Sequence, residues 1–196
     1  YVLTNAGQYS SVMANYGTLS ITKAPLTITA DSAEKKYDGE PLTDDGWQDT
    51  APVGLKGTDA VASVTVSGTI TAVGTKENIA SGAVVKNGET DVTDNYEITY
   101  VPGTLKVTNN TTKIVISSAN KSWEYDGADH SNPEYTVMYG EVAASKNEDG
   151  TVFTLPTGDK VTITCTASIK YVSESGKDNS FSYVLENAER YEGVSP

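Results

Sequence analysis

A block of twelve residues, Ser32-Ala-Glu-Lys-Lys-Tyr-Asp-Gly-Glu-Pro-Leu-Thr43, returns in shortened form as Ala119-Asn-Lys-Ser-Trp-Glu-Tyr-Asp-Gly127. Tyr125 lies 88 residues after Tyr37. Recurrence at a fixed spacing constrains a chain more than any local pattern, because each copy must be a folding unit or part of one. Two further markers agree. Gly17-Thr-Leu-Ser-Ile-Thr22 returns 86 residues on as Gly103-Thr-Leu-Lys-Val-Thr108, and Tyr1-Val-Leu-Thr-Asn-Ala-Gly-Gln-Tyr9 returns as Tyr183-Val-Leu-Glu-Asn-Ala-Glu-Arg-Tyr191. The chain reads as about two copies of one unit. Residues 1–24 are expected to be the closing strands of a preceding copy and 25–110 the first full unit. Residues 111–196 are expected to be a second unit that lacks its closing strand.

Each unit has the length of an ordinary domain. Twenty-six acidic residues face 14 basic ones, a net charge of -12. Nucleic-acid binding needs clustered Lys and Arg, so that class of partner is excluded, and an anionic membrane surface is disfavoured. The single cysteine, Cys165, rules out a disulfide within the chain, and with a single histidine, His130, it leaves no Cys/His metal site. No cofactor or metal is expected. No run reaches the roughly 18 apolar residues of a membrane-spanning helix, so no membrane insertion is expected.

Two runs carry the period of a half-buried strand. In Ala62–Ala72 the residues Val64, Val66 and Ile70 alternate with Ser and Thr; in Val161–Tyr171 the apolar set is Val161, Ile163, Cys165, Ala167, Ile169 and Tyr171. They align at an offset of 99, which places Cys165 where Val66 stands, as a small core residue. The offset exceeds 88 by about 11 residues, so the second unit is expected to carry an inserted hairpin near 139–154, around Asn147-Glu-Asp-Gly150. Shorter strands are expected at 26–30, 79–86, 96–101, 105–108 and 113–117. Pro102-Gly103 is expected at a turn or sheet edge. The predicted fold is all-β: two tandem, elongated, antiparallel sandwich-like domains of immunoglobulin-like type. A β-grasp-like unit is the alternative, but it needs a helix that no segment supplies. The links 23–25 and 109–112 are too short to act as free coils.

The chemistry-bearing candidates are few. Asp38-Gly39 and Asp126-Gly127 are turn dipeptides, with Tyr37 and Tyr125 packing at the core edge. Asp44 with Asp45, and Asp91 with Asp94, lack the spacing of a calcium loop and read as solvated. His130 reads as a polar loop residue. Lys106 or Lys113, with Asn95 and Glu97, has the residue types of a Lys–Asn isopeptide bond, against the plainer reading of lysines on a wet strand face. Trp47, in Asp44-Asp-Gly-Trp-Gln-Asp49, is the one ligand-binding candidate, because an aromatic face beside acids and Gln suits a sugar ring. The competing reading caps the core with it.

Lys36-Tyr-Asp-Gly-Glu-Pro-Leu-Thr43, followed by Asp91-Val-Thr-Asp-Asn-Tyr-Glu-Ile-Thr-Tyr-Val-Pro-Gly-Thr-Leu-Lys-Val-Thr108, resembles the MBG/YDG-type repeat of bacterial cell-surface proteins. The resemblance spans essentially all of the first unit. The second unit keeps Tyr125-Asp-Gly127 but not the Pro-Leu-Thr that follows. It implies an extracellular location on a bacterial cell, wall-anchored or secreted and often Gram-positive, and a non-catalytic stalk or spacer role in an adhesin-like protein. It supplies no catalytic residue. The alternative is a module of the same protein that binds a glycan or host ligand. The expected partners are adjacent repeats, and residues 1–22 of a neighbouring molecule completing the sheet at residues 183–196.

Overall fold

The computed structural model describes residues 6–8, 11, 13, 15–48 and 53–193. They form an all-β fold of the sandwich type, with no α-helix among the described residues; single 3-10 turns stand at Ala6–Gln8, Thr93–Asn95, Val172–Glu174 and Ala188–Arg190. The β-grasp alternative therefore has no helix to build on. The first half holds β1 (Ala24–Thr29), β2 (Ala33–Lys36), β3 (Ala60–Ser67), β4 (Gly74–Asn87), β5 (Thr90–Asp91), β6 (Tyr96–Val101) and β7 (Gly103–Thr108). The second holds β8 (Ile114–Ser118), β9 (Tyr135–Tyr139), β10 (Val142–Ala143), β11 (Ser145–Lys146), β12 (Val152–Thr154), β13 (Lys160–Cys165) and β14 (Phe181–Leu185).

The expectation of purely antiparallel sheets needs correction. β1 pairs with β6 in parallel, Ala24 opposite Tyr96, and β2 pairs with β7 in parallel, Ala33 opposite Leu105. Both pairings share one register, so residues 24–36 and 96–108 are two long runs lying side by side. Between them they serve two sheets: β1–β6 alone, and β2–β7–β4–β3. The runs change sheet together at Asp31 and Gly103. A Cβ on Gly103 would lie 2.0 Å from the Asp31 carbonyl oxygen, so only glycine fits that crossing. Pro102 accordingly does not turn the chain back. It sits mid-run at the switch, where its missing N–H costs no ladder bond.

In the second half the sheets are β10–β9–β8 and β11–β12–β13–β14, with β8–β9 and β12–β13–β14 antiparallel. The segment 139–154 carries two tight turns, one joining β9 to β10 and one at Asn147–Gly150 joining β11 to β12. Gly140 and Gly150 take the positive φ that each turn requires. β13 ends at Cys165, and β3 ends at Ser67, both short of the alternating runs that announced them. Beyond each end the chain keeps only an isolated bridge, Leu42 to Ile70 in one half and His130 to Ile169 in the other. Inward-facing Val61 and Val64 stand three apart because β3 carries a bulge, whereas Val161, Ile163 and Cys165 keep strict alternation.

Two apolar clusters result. One gathers Leu26, Ile28, Ala80, Val85 and Tyr96 of the first half. The other gathers Phe153, Leu155, Val161, Ile163 and Leu185 of the second half, and Tyr37 and Val107 of the first join it. The second core therefore reaches across the link between the halves. Cys165 packs at its edge, partly buried. Residues 15–23 form no strand: Gly17–Thr22 pairs with no described residue, and Leu19 and Ile21 are fully exposed. Residues 1–5, 9, 10, 12 and 14, expected in the same closing segment, lie outside the described residues, as do 194–196.

Candidate functional site

The link between the halves is densely hydrogen-bonded, and Asn110 is its hub. It lies two residues past the end of β7 and is buried. Its side-chain amide donates to the Tyr37 carbonyl at 2.6 Å and to the Tyr139 hydroxyl, and its Oδ1 accepts the Thr112 N–H at 2.7 Å. Its backbone N–H donates to the Arg190 carbonyl, and its carbonyl accepts the Glu192 N–H, both at 2.8 Å. Every polar group of Asn110 is thus used, which fixes the entry into β8 against the last turn of the second half.

Tyr37 is the first half's contribution. It is 3% exposed and meets Tyr191 edge to face at 5.9 Å. The Arg190 guanidinium covers its ring at 5.0 Å and donates to its hydroxyl at 2.8 Å. The neighbouring Gly39, at φ +90°, lets the turn approach the second half so closely that a Cβ would fall 2.0 Å from the Thr157 carbonyl oxygen. Behind this contact Tyr191 shares hydrogen bonds with the Thr157 hydroxyl at 2.6 Å and Asp159 Oδ2 at 2.7 Å. Asn187 donates to Asp159 Oδ1 at 2.7 Å, and Arg190 stands 4.0 Å from the same oxygen. Burial pushes the Tyr191 and Tyr37 phenols above their ordinary pKa.

The first half contains the same lock. Tyr96 donates to Asp59 Oδ2 and Asn87 to Asp59 Oδ1, both at 2.6 Å, with the Lys56 N–H donating to the Tyr96 hydroxyl at 3.0 Å. These hydrogen bonds hold the Asp59 carboxyl below the usual carboxylate range, the Tyr96 hydroxyl first among them. Sequence reasoning missed both Asn–Asp–Tyr sets. The signal was present: Leu55-Lys-Gly-Thr-Asp-Ala-Val61 matches Leu155-Pro-Thr-Gly-Asp-Lys-Val161, and Asn87 matches Asn187.

The second feature is a cleft of about 630 Å³ in the second half. One wall is the stretch 118–125 and the other 167–179. Trp123 stacks on His130 at 4.9 Å, and His130 Nε2 lies 2.9 Å from Asp126 Oδ1. The Ala128 N–H and His130 hold the Asp126 carboxyl below its usual range. Tyr125, the counterpart of buried Tyr37, is 65% exposed here, and Tyr171 and Val172 are exposed nearby.

The sequence candidates fall elsewhere. Trp47 lies in the first half, its backbone bridged to Ala30 and its side chain packed partly against the first core, away from both the link and the cleft. Asp44 Oδ1 caps the Gly46 N–H and Asp91 Oδ1 the Thr93 N–H, as in Asx turns. No group of three His, Cys, Asp or Glu could hold a metal among the described residues. Lys106 pairs with Glu34 at 3.2 Å on the exposed face of β7. No protein-family model matches the chain, and neither a curated protein nor a solved structure matches it.

Proposed function

We propose that the chain is a non-catalytic spacer from the tandem repeats of a bacterial cell-surface, adhesin-like protein of MBG/YDG type, displayed outside the cell. The observation that carries this reading is the Asn110–Tyr37–Arg190–Tyr191 junction. A protein whose two halves had separate binding tasks would gain from a loose linker. Here the link is short, centred on buried Asn110 and hydrogen-bonded to both halves. Its residues are turn glycines, ring stacks and satisfied amides, which serve orientation. The competing reading, a glycan- or host-ligand-binding module centred on Trp47, draws less support because that side chain rests partly on the core.

The test is a distance distribution between spin labels placed on exposed positions of the two halves. A narrow distribution that broadens in Asn110→Ala and Arg190→Ala supports the spacer. A broad distribution in the unaltered chain would sink it.

A further inference from the structure

The cleft of the second half is the place that β7 fills in the first. There β7 lies between β2 and the opening of β4, parallel to Ala33–Lys36 and antiparallel to Gly74–Asn78, with Leu105 and Val107 almost wholly buried. The repeat puts 121–124 in the place of β2. A shared contact fixes the other wall. Asn78 donates to the carbonyls of Asp31 and Asp44, and Asn179 donates to those of Ala119 and Asn132, each acceptor 88 residues after its counterpart. The segment preceding Asn179 therefore stands where the opening of β4 stands. These two walls line the cleft, and no described strand lies between them.

The same chain carries a second copy of the β7 sequence. Gly17-Thr-Leu-Ser-Ile-Thr22 is identical to β7 at four of six positions and keeps both inward apolar residues, Leu19 for Leu105 and Ile21 for Val107. Both side chains are fully exposed and the segment pairs with no described residue. We propose that Gly17–Thr22 of a second copy of this chain inserts into the cleft, parallel to 121–124 and antiparallel to the segment before Asn179. Leu19 and Ile21 then enter the core beside Trp123, as Leu105 and Val107 are buried in the first half. Strand addition of this kind takes its affinity from backbone hydrogen bonds and its selectivity from the alternate side chains.

The donor cannot reach the cleft of its own molecule. Only Lys23 separates it from β1, whose first residue is pinned opposite Tyr96. The run from Ala24 to Lys36 spans about 40 Å before the link to the second half begins, whereas a six-residue strand spans about 20 Å. The contact is heterologous, so association is open-ended and not limited to a pair. It does not depend on the spacer reading, and a rigid link could be found without it.

Sedimentation velocity of the full chain up to about millimolar concentration should show concentration-dependent association. The double variant Leu19→Glu with Ile21→Glu should stay monomeric with an unchanged melting temperature, because both side chains are solvent-exposed in the single molecule. A peptide of residues 15–24 added to that variant should slow amide exchange at 119–125 and 174–179, and the same peptide carrying both Glu substitutions should not. A monomeric unaltered chain, association that survives the double substitution, or a peptide that protects neither segment would each overturn the proposal.

Discussion

Asn78 and Asn179 make the same pair of hydrogen bonds in the two halves, each amide spanning two carbonyls at 2.9 to 3.1 Å. Asn78 is completely buried. Its removal strands two inward-facing carbonyls. Asn78→Ala should cost about 2–4 kcal/mol, at about 1–3 kcal/mol for each buried group left unpaired. Asn78→Asp should cost more, because a carboxylate cannot donate to either oxygen. Urea unfolding measures both, and a loss under about 1 kcal/mol would contradict the role.

Gly39 and Gly127 occupy equivalent turns and should respond differently to alanine. Both hold positive φ, which costs a residue with a Cβ about 1 kcal/mol. At Gly127 the nearest atom to an added Cβ is 4.0 Å away, so Gly127→Ala should lose little beyond that. At Gly39 the Cβ meets the Thr157 carbonyl, so Gly39→Ala should force the halves apart. Calorimetry should then resolve two transitions where the unaltered chain shows one. Equal effects of the two substitutions would argue against the tight junction.

The Tyr135 hydroxyl is buried without a hydrogen-bond partner, while its ring packs edge-on against Phe181 at 5.4 Å. Tyr135→Phe keeps the ring contact and removes the stranded group. The variant should be more stable by about 1 kcal/mol. A destabilised variant would mean that the hydroxyl is satisfied in solution.

Alkaline unfolding should follow from the same tyrosines. Burial raises the phenols of Tyr37 and Tyr191, and pushes Tyr135 up to about 12. Their folded pKa exceeds the unfolded value near 10. The stability they contribute is complete below about pH 10 and is lost as pH rises through the folded values. Phenolate absorbance should therefore gain a late step that coincides with loss of the circular dichroism of the sheets. A late step that precedes unfolding would show these rings to be accessible.

Strand content was legible because alternation survives in short windows: Val161, Ile163 and Cys165 read as one face and pack as one. Strand direction was not. A parallel and an antiparallel neighbour demand the same inward residues, so nothing in Leu26 and Ile28 announces that β6 runs alongside in the same sense. Pro102 misled for a related reason, since a missing donor suits a sheet switch as well as a turn. The Asn–Asp–Tyr locks escaped notice because Asp59 and Asp159, like Asn87 and Asn187, stand 100 residues apart and not 88, and the marker that contains Asn187 matches residues 1–9 instead of the stretch around Asn87. The junction was half visible. Tyr37 stood out as a repeated residue, but its partner Arg190 has Asn95 in the corresponding place and gives no repeat signal.

The shared register of the runs 24–36 and 96–108 has a mechanical consequence. Tension applied between Ala24 and Thr108 draws two neighbouring parallel runs lengthwise past each other. The β1–β6 and β2–β7 ladders are then sheared as a whole instead of being unzipped rung by rung. Single-molecule stretching along that axis should meet a higher rupture force than stretching across the same ladders, and the direction of greatest resistance is the long axis of the runs themselves.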